Sequence, residues 1–306
     1  MAAERVIVVG AGVAGLSAAA VLAARGCAVT VVERRDLPGG KLRETRAGDG
    51  PPIDVGPTVL TLRPMLEELF AAAGARLDDH LRLHRAEVLA RHFWTGGATL
   101  DLFADAARSE AAMRDFAGAG EAAAFRAFQA DARHAFATLY APFMRRPAPS
   151  FLGLLLRAGP AALSRVDPYA SLWAHLGRRF ADPRLRQLFG RYATYVGASP
   201  MAAPATLMLI ADVEAQGVWL VEGGMARLAQ ALGAVALEHG ATVRCGAAVA
   251  GVEIDRGRAR GVRLGDGERL EADAVVSAVD LAALQSGALG GRAAAGLGRA
   301  PRSGRR

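Results

Sequence analysis

Residues 5–16, Arg-Val-Ile-Val-Val-Gly-Ala-Gly-Val-Ala-Gly-Leu, and residues 27–33, Cys-Ala-Val-Thr-Val-Val-Glu, decide the reading of this chain. Val6 to Val9 is a β-branched run suited to a buried parallel strand, and Gly10, Gly12 and Gly15 follow in the Gly-x-Gly-x-x-Gly spacing. Each glycine has its own task. Gly10 makes the tight turn, Gly12 lets a pyrophosphate approach the backbone, and Gly15 lets the next helix pack on the strand with its N-terminal amides aimed at the phosphates. An alanine-rich helix stops at Gly26, and Glu33 ends the second apolar run, where a carboxylate accepts from ribose hydroxyls and repels a 2′-phosphate. Strand, turn, helix, strand and terminal acid fall in one register, which specifies dinucleotide binding. Val6 to Ala24 carries no charge, but three glycines and the change from β-branched residues to alanine argue against a uniform membrane span or signal peptide.

The 306 residues, 52% of them hydrophobic, suffice for one large or two ordinary domains and exclude a disordered chain. The net charge of +7 is spread thinly, with Arg292, Arg299, Arg302, Arg305 and Arg306 crowded at the end. No ladder of basic and aromatic residues accompanies it, so nucleic acid is not the expected partner, whereas an anionic membrane surface fits. Cys27 and Cys245 lack CxxC spacing and read as buried thiols in a reducing compartment.

Two more glycine turns follow Glu33: Leu37-Pro38-Gly39-Gly40-Lys41-Leu42 and Ile53-Asp54-Val55-Gly56-Pro57-Thr58. A helix is expected from Pro64 to Ala73, and a hairpin from Val88–Trp94 and Ala98–Phe103 around Thr95-Gly96-Gly97. Apolar stripes at helical spacing then run from Phe125 to Phe143, with a break at Pro142 and Pro147–Pro149, and from Arg184 to Tyr195. Arg184, Arg186 and Arg191 read as a solvated face. After a helix at 227–238, the runs 242–245, 248–254, 259–264 and 268–270 read as an antiparallel meander, and 274–279 as a final buried strand with Asp280 capping a helix. The fold class is therefore α/β. A Rossmann-like dinucleotide domain (1–60 and 217–284) is split around an α+β, mostly helical second domain (61–216), and 285–306 is expected to be a disordered tail.

These motifs together resemble the glutathione-reductase-like flavoproteins of the amine oxidase and phytoene desaturase superfamily. Gly56-Pro57-Thr58 through Glu67-Glu68-Leu69-Phe70, Asp182-Pro183-Arg184 through Thr194-Tyr195, and Ser199-Pro200 are similar to the bacterial hydroxyneurosporene and methoxyneurosporene desaturases of carotenoid synthesis. The resemblance implies FAD. Gly10, Ala11, Gly12, Val13, Ala14, Gly15 and Leu16 would hold its pyrophosphate, Glu33 its adenosine ribose and Val249 its adenine, with Arg34 among the cofactor-binding residues. Gly39, Gly40, Lys41, Leu42, Gly56, Pro57 and Thr58 would line the flavin side. It implies oxidation of a C–C bond in a 1-hydroxy- or 1-methoxy-carotenoid precursor by hydride transfer to flavin, in the cytoplasm, at the inner face of a membrane.

No residue stands out as the catalytic base. Asp167, Asp182, Glu214 and Glu222 lie in the second domain or at its edge, where caps and surface carboxylates are common. His80 and His84 have i,i+4 spacing without a third ligand, so no metal is expected, and Ser17 lacks the second glycine of a nucleophile elbow. Members of the superfamily are longer, and nothing here matches their C-terminal Gly-Asp segment, so the chain reads as a truncated desaturase in which activity is in question. The alternatives are an amine oxidase-like flavoenzyme and a non-catalytic lipid carrier on the same scaffold.

Overall fold

The structure, a computed structural model, describes residues 3–145 and 151–295. Two compact units emerge, one from the residues up to His84 together with those from Leu220 onward, the other from Arg85–Trp219. Residues 61–84, assigned above to the inserted domain, thus pack in the first unit.

In the first unit, β1 (Arg5–Val9), α1 (Val13–Ala24) and β2 (Ala28–Val32) form the expected strand–helix–strand unit, with β1 and β2 parallel. Gly26 ends α1 at φ +86°, with the Cys27 amide returning to the Leu22 carbonyl. Two short strands, β3 (Glu44–Arg46) and β4 (Pro52–Asp54), pair as a hairpin. Helix α2 (Ala226–Glu238) packs against α1. It leads into β5 (Thr242–Arg244), and the parallel sheet runs β5-β2-β1-β9, where β9 is Ala274–Ser277. Placing residues 242–245 in the meander was therefore wrong. A helix precedes this strand, and the crossover returns it in the direction of β2, pairing Thr242 with Thr30 and Arg244 with Val32.

The meander consists of β6 (Val249–Asp255), β7 (Arg258–Leu264) and β8 (Arg269–Glu271). Val262, Leu264 and Ala272 join Ile7, Val9 and Val32 in one buried cluster, while Val6 and Val8 are buried on the opposite face of β1. Cover on both faces explains the unbroken apolar run of β1. β9 is half-buried rather than buried, and Asp280 caps Leu281–Gln285 by accepting from the Ala282 and Ala283 amides at 3.0 and 3.3 Å. The expected disorder is corrected for residues 285–295. Gly291–Ala294 is a second short helix, and Leu289, 4% exposed, anchors the segment in the core with its carbonyl accepting from Val252. The rest of that tail and the Pro147–Pro149 break lie outside the described residues.

The second unit holds the hairpin Val88–Phe93/Thr99–Phe103 and a helical core. Helix Ala119–Leu139 presents Phe125 and Phe128 to Phe180 and Phe189, with ring centroids 4.8 to 5.9 Å apart, and Tyr192 closes the cluster. The helix yields at Tyr140–Met144 to a π-turn, because Pro142 has no amide to continue the ladder. The second stripe forms Pro183–Gly190 and a 3₁₀ turn at Arg191–Val196.

Candidate dinucleotide site

At the carboxyl ends of the parallel strands lies a cavity of about 710 Å3, within the roughly 300–1,000 Å3 of small-molecule sites. Its wall joins the three regions singled out in the sequence: Gly10, Gly12, Val13 and Ala14; Glu33 and Arg34; and Gly39, Gly40, Lys41, Leu42 and Pro57, with Val249 across from them.

The glycines are required by steric fit. Gly10 sits at φ +102°, and a Cβ on Gly15 would lie 1.9 Å from the Gly10 carbonyl oxygen. Gly40, at φ +61°, approaches so closely that its Cβ would stand 2.9 Å from the Gly12 Cα. The Gly39 amide donates to the Ala11 carbonyl at 2.8 Å, fixing the second glycine turn against the first. α1 begins at Gly12 with no side-chain cap, so its first-turn amides face the cavity as an anion site. Arg34, Arg35 and Lys41 on the wall add positive charge. A cradle that any Cβ would fill, beside an uncapped helix start and three cations, fits a dinucleotide pyrophosphate.

Glu33 is only 7% exposed, and its carboxylate braces the cradle. Oε2 accepts from the Ala11 amide at 2.8 Å and Oε1 from the Arg35 amide at 3.0 Å. Each carboxylate oxygen has a second lone pair, so the group keeps acceptor capacity on its cavity side. Ala11, Gly15, Leu16, Gly56 and Thr58, expected at the cofactor, do not line the cavity. Ala11, Gly15 and Leu16 are buried behind the turn, and Gly56 packs so tightly that a Cβ would meet the Lys41 oxygen at 2.0 Å.

Sequence reasoning missed several wall residues: Arg35, Ala247, Ala248, Ala278, Val279, Asp280, Ala283 and Leu289. Ala278 and Val279 end the run read as a final buried strand, Asp280 and Ala283 belong to the helix that Asp280 was read to cap, and Leu289 alone lies in the segment read as a disordered tail. Asp54 was also missed as a joint. Both its oxygens accept from the Met225 amide, at 3.1 and 3.0 Å, tying the Asp54–Thr58 turn to Gly223-Gly224-Met225.

The other candidates have structural employment. Asp182 caps its helix and pairs Arg184, Asp167 holds His175 and Arg178, and Glu222 meets His84 at 2.9 Å. His80 ends the short helix Leu77–His80 while His84 lies in the strand Leu83–Arg85, so their spacing places them on no common helix face. Cys27 and Cys245 are half-exposed free thiols rather than buried ones, and burial together with Glu33 and Asp36 raises the Cys245 thiol above its ordinary value. Glu214 is the exception among the carboxylates, being 3% exposed. It accepts two bonds from Arg191, at 2.9 and 2.5 Å, and one each from the hydroxyls of Tyr192 at 3.3 Å and Tyr195 at 2.8 Å. The reading of a solvated arginine face is thereby corrected. Arg184 lies over the Phe116 ring, Arg186 over Trp173, and Arg191 is half-buried and paired with the buried Glu214. Burial, with Glu214 close by, pushes the Tyr195 phenol up to about 12, and burial with the Arg191 charge lowers His92.

The family model for flavin containing amine oxidoreductases matches residues 13–295. The chain belongs to that family. It is 49% identical over 291 residues to a hydroxyneurosporene desaturase of Rubrivivax gelatinosus and 46% identical over 288 residues to one of Cereibacter sphaeroides, with 94% of this chain covered in each case. It spans 55% and 58% of the length of these relatives. A solved oxidoreductase from Methanosarcina mazei superposes with a TM-score of 0.61 at 20% identity, over 94% of this chain and 61% of that one, a likeness of fold. The flavin family and the dinucleotide cradle together specify FAD as the cofactor. No helix among the described residues is long and apolar enough to cross a membrane.

Proposed function

We propose that this flavin oxidoreductase binds FAD and serves the desaturation of a C–C single bond in an apolar carotenoid precursor of the 1-hydroxy or 1-methoxy type. The observation that carries the reading is the identity of 49% with a hydroxyneurosporene desaturase across 94% of the chain. The intact cradle supports it. When bound, the flavin supplies a two-electron acceptor for the hydride leaving carbon.

The chain's own contribution at the cavity is binding and orientation. The Gly10–Gly15 turn presents main-chain amides to the pyrophosphate, Arg34 and Lys41 offset its charge, and Glu33 accepts from the adenosine ribose while holding the Ala11 amide. Gly39, Gly40, Leu42 and Pro57 direct the dinucleotide along the wall, and Val249 offers backbone groups to the adenine. The second unit, with its large aromatic and aliphatic core, supports an apolar substrate domain. A substrate that dissolves in lipid supports work at a membrane surface.

Absorption of the purified protein after reconstitution with excess FAD tests the cofactor assignment, and flavin bands that survive gel filtration are expected. Incubating the FAD-loaded protein with hydroxyneurosporene in lipid vesicles should lengthen the polyene and shift its absorption to the red. A loaded sample that leaves the spectrum unchanged rejects the activity.

A further inference from the structure

One stretch of the helical unit carries charge of a single sign. Between Asp131 and Asp167 the sequence has arginine at positions 133, 145, 146, 157 and 165 and neither Asp nor Glu. Most protein surfaces intersperse the two signs. Within this stretch the helix Phe151–Ala158 packs against the π-turn Tyr140–Met144 and the short helix Pro160–Ser164. Leu154 and Leu155 turn toward the aromatic core, and Leu163 and Val166 are buried, so the segment is anchored from inside.

That anchoring leaves large apolar side chains outside. Leu156 is 77% exposed, Phe143 45% and Met144 38%. Arg157 and Arg165 are exposed beside them in sequence. Arg157 donates to the Gly153 carbonyl of its own helix, and among the described residues neither arginine has a carboxylate partner. Exposed apolar groups interleaved with unneutralised arginines characterise segments that lie in the interface of a bilayer, the apolar groups entering the acyl boundary and the cations meeting lipid phosphates. A protein partner of ordinary composition would have to match Arg157 and Arg165 with its own carboxylates, whereas an anionic leaflet matches both at once.

We propose that Phe143, Met144 and Leu156, with Arg157 and Arg165, seat the protein on an anionic bilayer surface. The inference rests on the reading above that the enzyme works at a membrane, and it assigns that contact to one face. The bilayer surface supplies both the hydrocarbon depth for three apolar side chains and the negative potential for two cations.

The test is co-sedimentation of the full, FAD-loaded chain with mixed phosphatidylglycerol–phosphatidylcholine vesicles and with pure phosphatidylcholine vesicles. The wild type is expected to prefer the anionic vesicles and to lose binding as salt rises. Leu156→Asp should lower the partition about tenfold, and Arg157→Gln combined with Arg165→Gln roughly 25-fold, about fivefold per charge. Phe93→Asp, at a residue 71% exposed on the hairpin of the same unit, should bind like the wild type. Flavin absorbance and far-ultraviolet circular dichroism of each variant confirm that it is folded. Undiminished binding of the Leu156 and arginine variants overturns the assignment. So does sedimentation of the wild type without lipid that Leu156→Asp abolishes, which would make this face a contact between copies. Carotenoid turnover in detergent micelles, read in parallel, separates the two proposals: turnover there, with no vesicle binding by the wild type, removes the membrane seat and leaves the desaturase reading standing.

Discussion

The Glu33 carboxylate at the end of β2 accepts the Ala11 amide at 2.8 Å, so the acid expected to read a ribose also holds the phosphate turn in shape. One side chain thus couples recognition to the geometry of the cradle. Glu33→Ala removes the acceptor from two buried or half-buried amides, at a cost of about 1–3 kcal/mol for the orphaned donors. FAD titration followed by flavin absorbance should show affinity weakened by roughly tenfold or more. Glu33→Gln retains one acceptor oxygen and should fall between the two. An alanine variant with wild-type affinity would refute the bracing role.

Gly40→Ala places a Cβ 2.9 Å from the Gly12 Cα and forces an alanine to φ +61°. Strain and collision together should cost about 2 kcal/mol or more and lower FAD affinity with it. Gly26→Ala is the control: φ is +86° but nothing lies within 4 Å of the new methyl group. Thermal melting should show a loss of about 1 kcal/mol there, with FAD affinity unchanged.

Arg191 and Glu214 form a bidentate pair inside the helical unit. Arg191→Met strands the carboxylate in the interior and should destabilise the protein by about 3–5 kcal/mol in chemical denaturation. Adding Glu214→Leu should restore much of that loss, because the uncompensated charge is what costs. Additive losses would contradict the pairing.

The same cluster sets a pH window. Tyr195 titrates at about 12 in the folded protein and near 10 when unfolded, so its contribution is complete below about pH 10 and lost as pH rises toward 12. His92 is lowered by burial and by Arg191, so its contribution is present above about pH 6.5 and lost as pH falls below it. Denaturation midpoints measured against pH should fall at both ends. Tyr195→Phe should flatten the alkaline limb, and His92→Gln the acid one.

Asp280→Ala removes the cap of Leu281–Gln285, worth about 1 kcal/mol. Because Asp280 and Ala283 belong to the cavity wall, hydrogen exchange in residues 281–289 should rise and FAD affinity should drop modestly.

What the sequence made legible was local. The β1–α1–β2 unit, the hairpin, and the Gly26 and Asp280 caps follow from periodicity and turn chemistry confined to short windows. The runs 242–245 and 248–254 look alike as sequences, and only the helix before the first decides that it enters the parallel sheet. Arg191 was misread for a related reason. Helical spacing places it off the apolar stripe, but its partner Glu214 is 23 positions away and helix periodicity does not report it. The order of residues 285–295 was hidden because it rests on tertiary contacts, the buried Leu289 with Ala293 beside it and the Val252 amide bonded to the Leu289 carbonyl. The joint between Asp54 and Met225 spans 171 positions and left no pattern at all.

β1 pairs on one edge with β2 and on the other with β9, and the Arg5 amide reaches Asp273 across 268 positions of chain. During synthesis the second edge of β1 must wait for its partner while the whole helical unit emerges. At about 5–20 residues per second the wait is on the order of tens of seconds. For that interval the nascent dinucleotide domain exposes an apolar, unpaired strand edge, the kind of surface that recruits chaperones or aggregates. The helical unit lies wholly between the two partners and is complete first. Newly made protein should therefore acquire its helical unit early and its cofactor cradle only at the last.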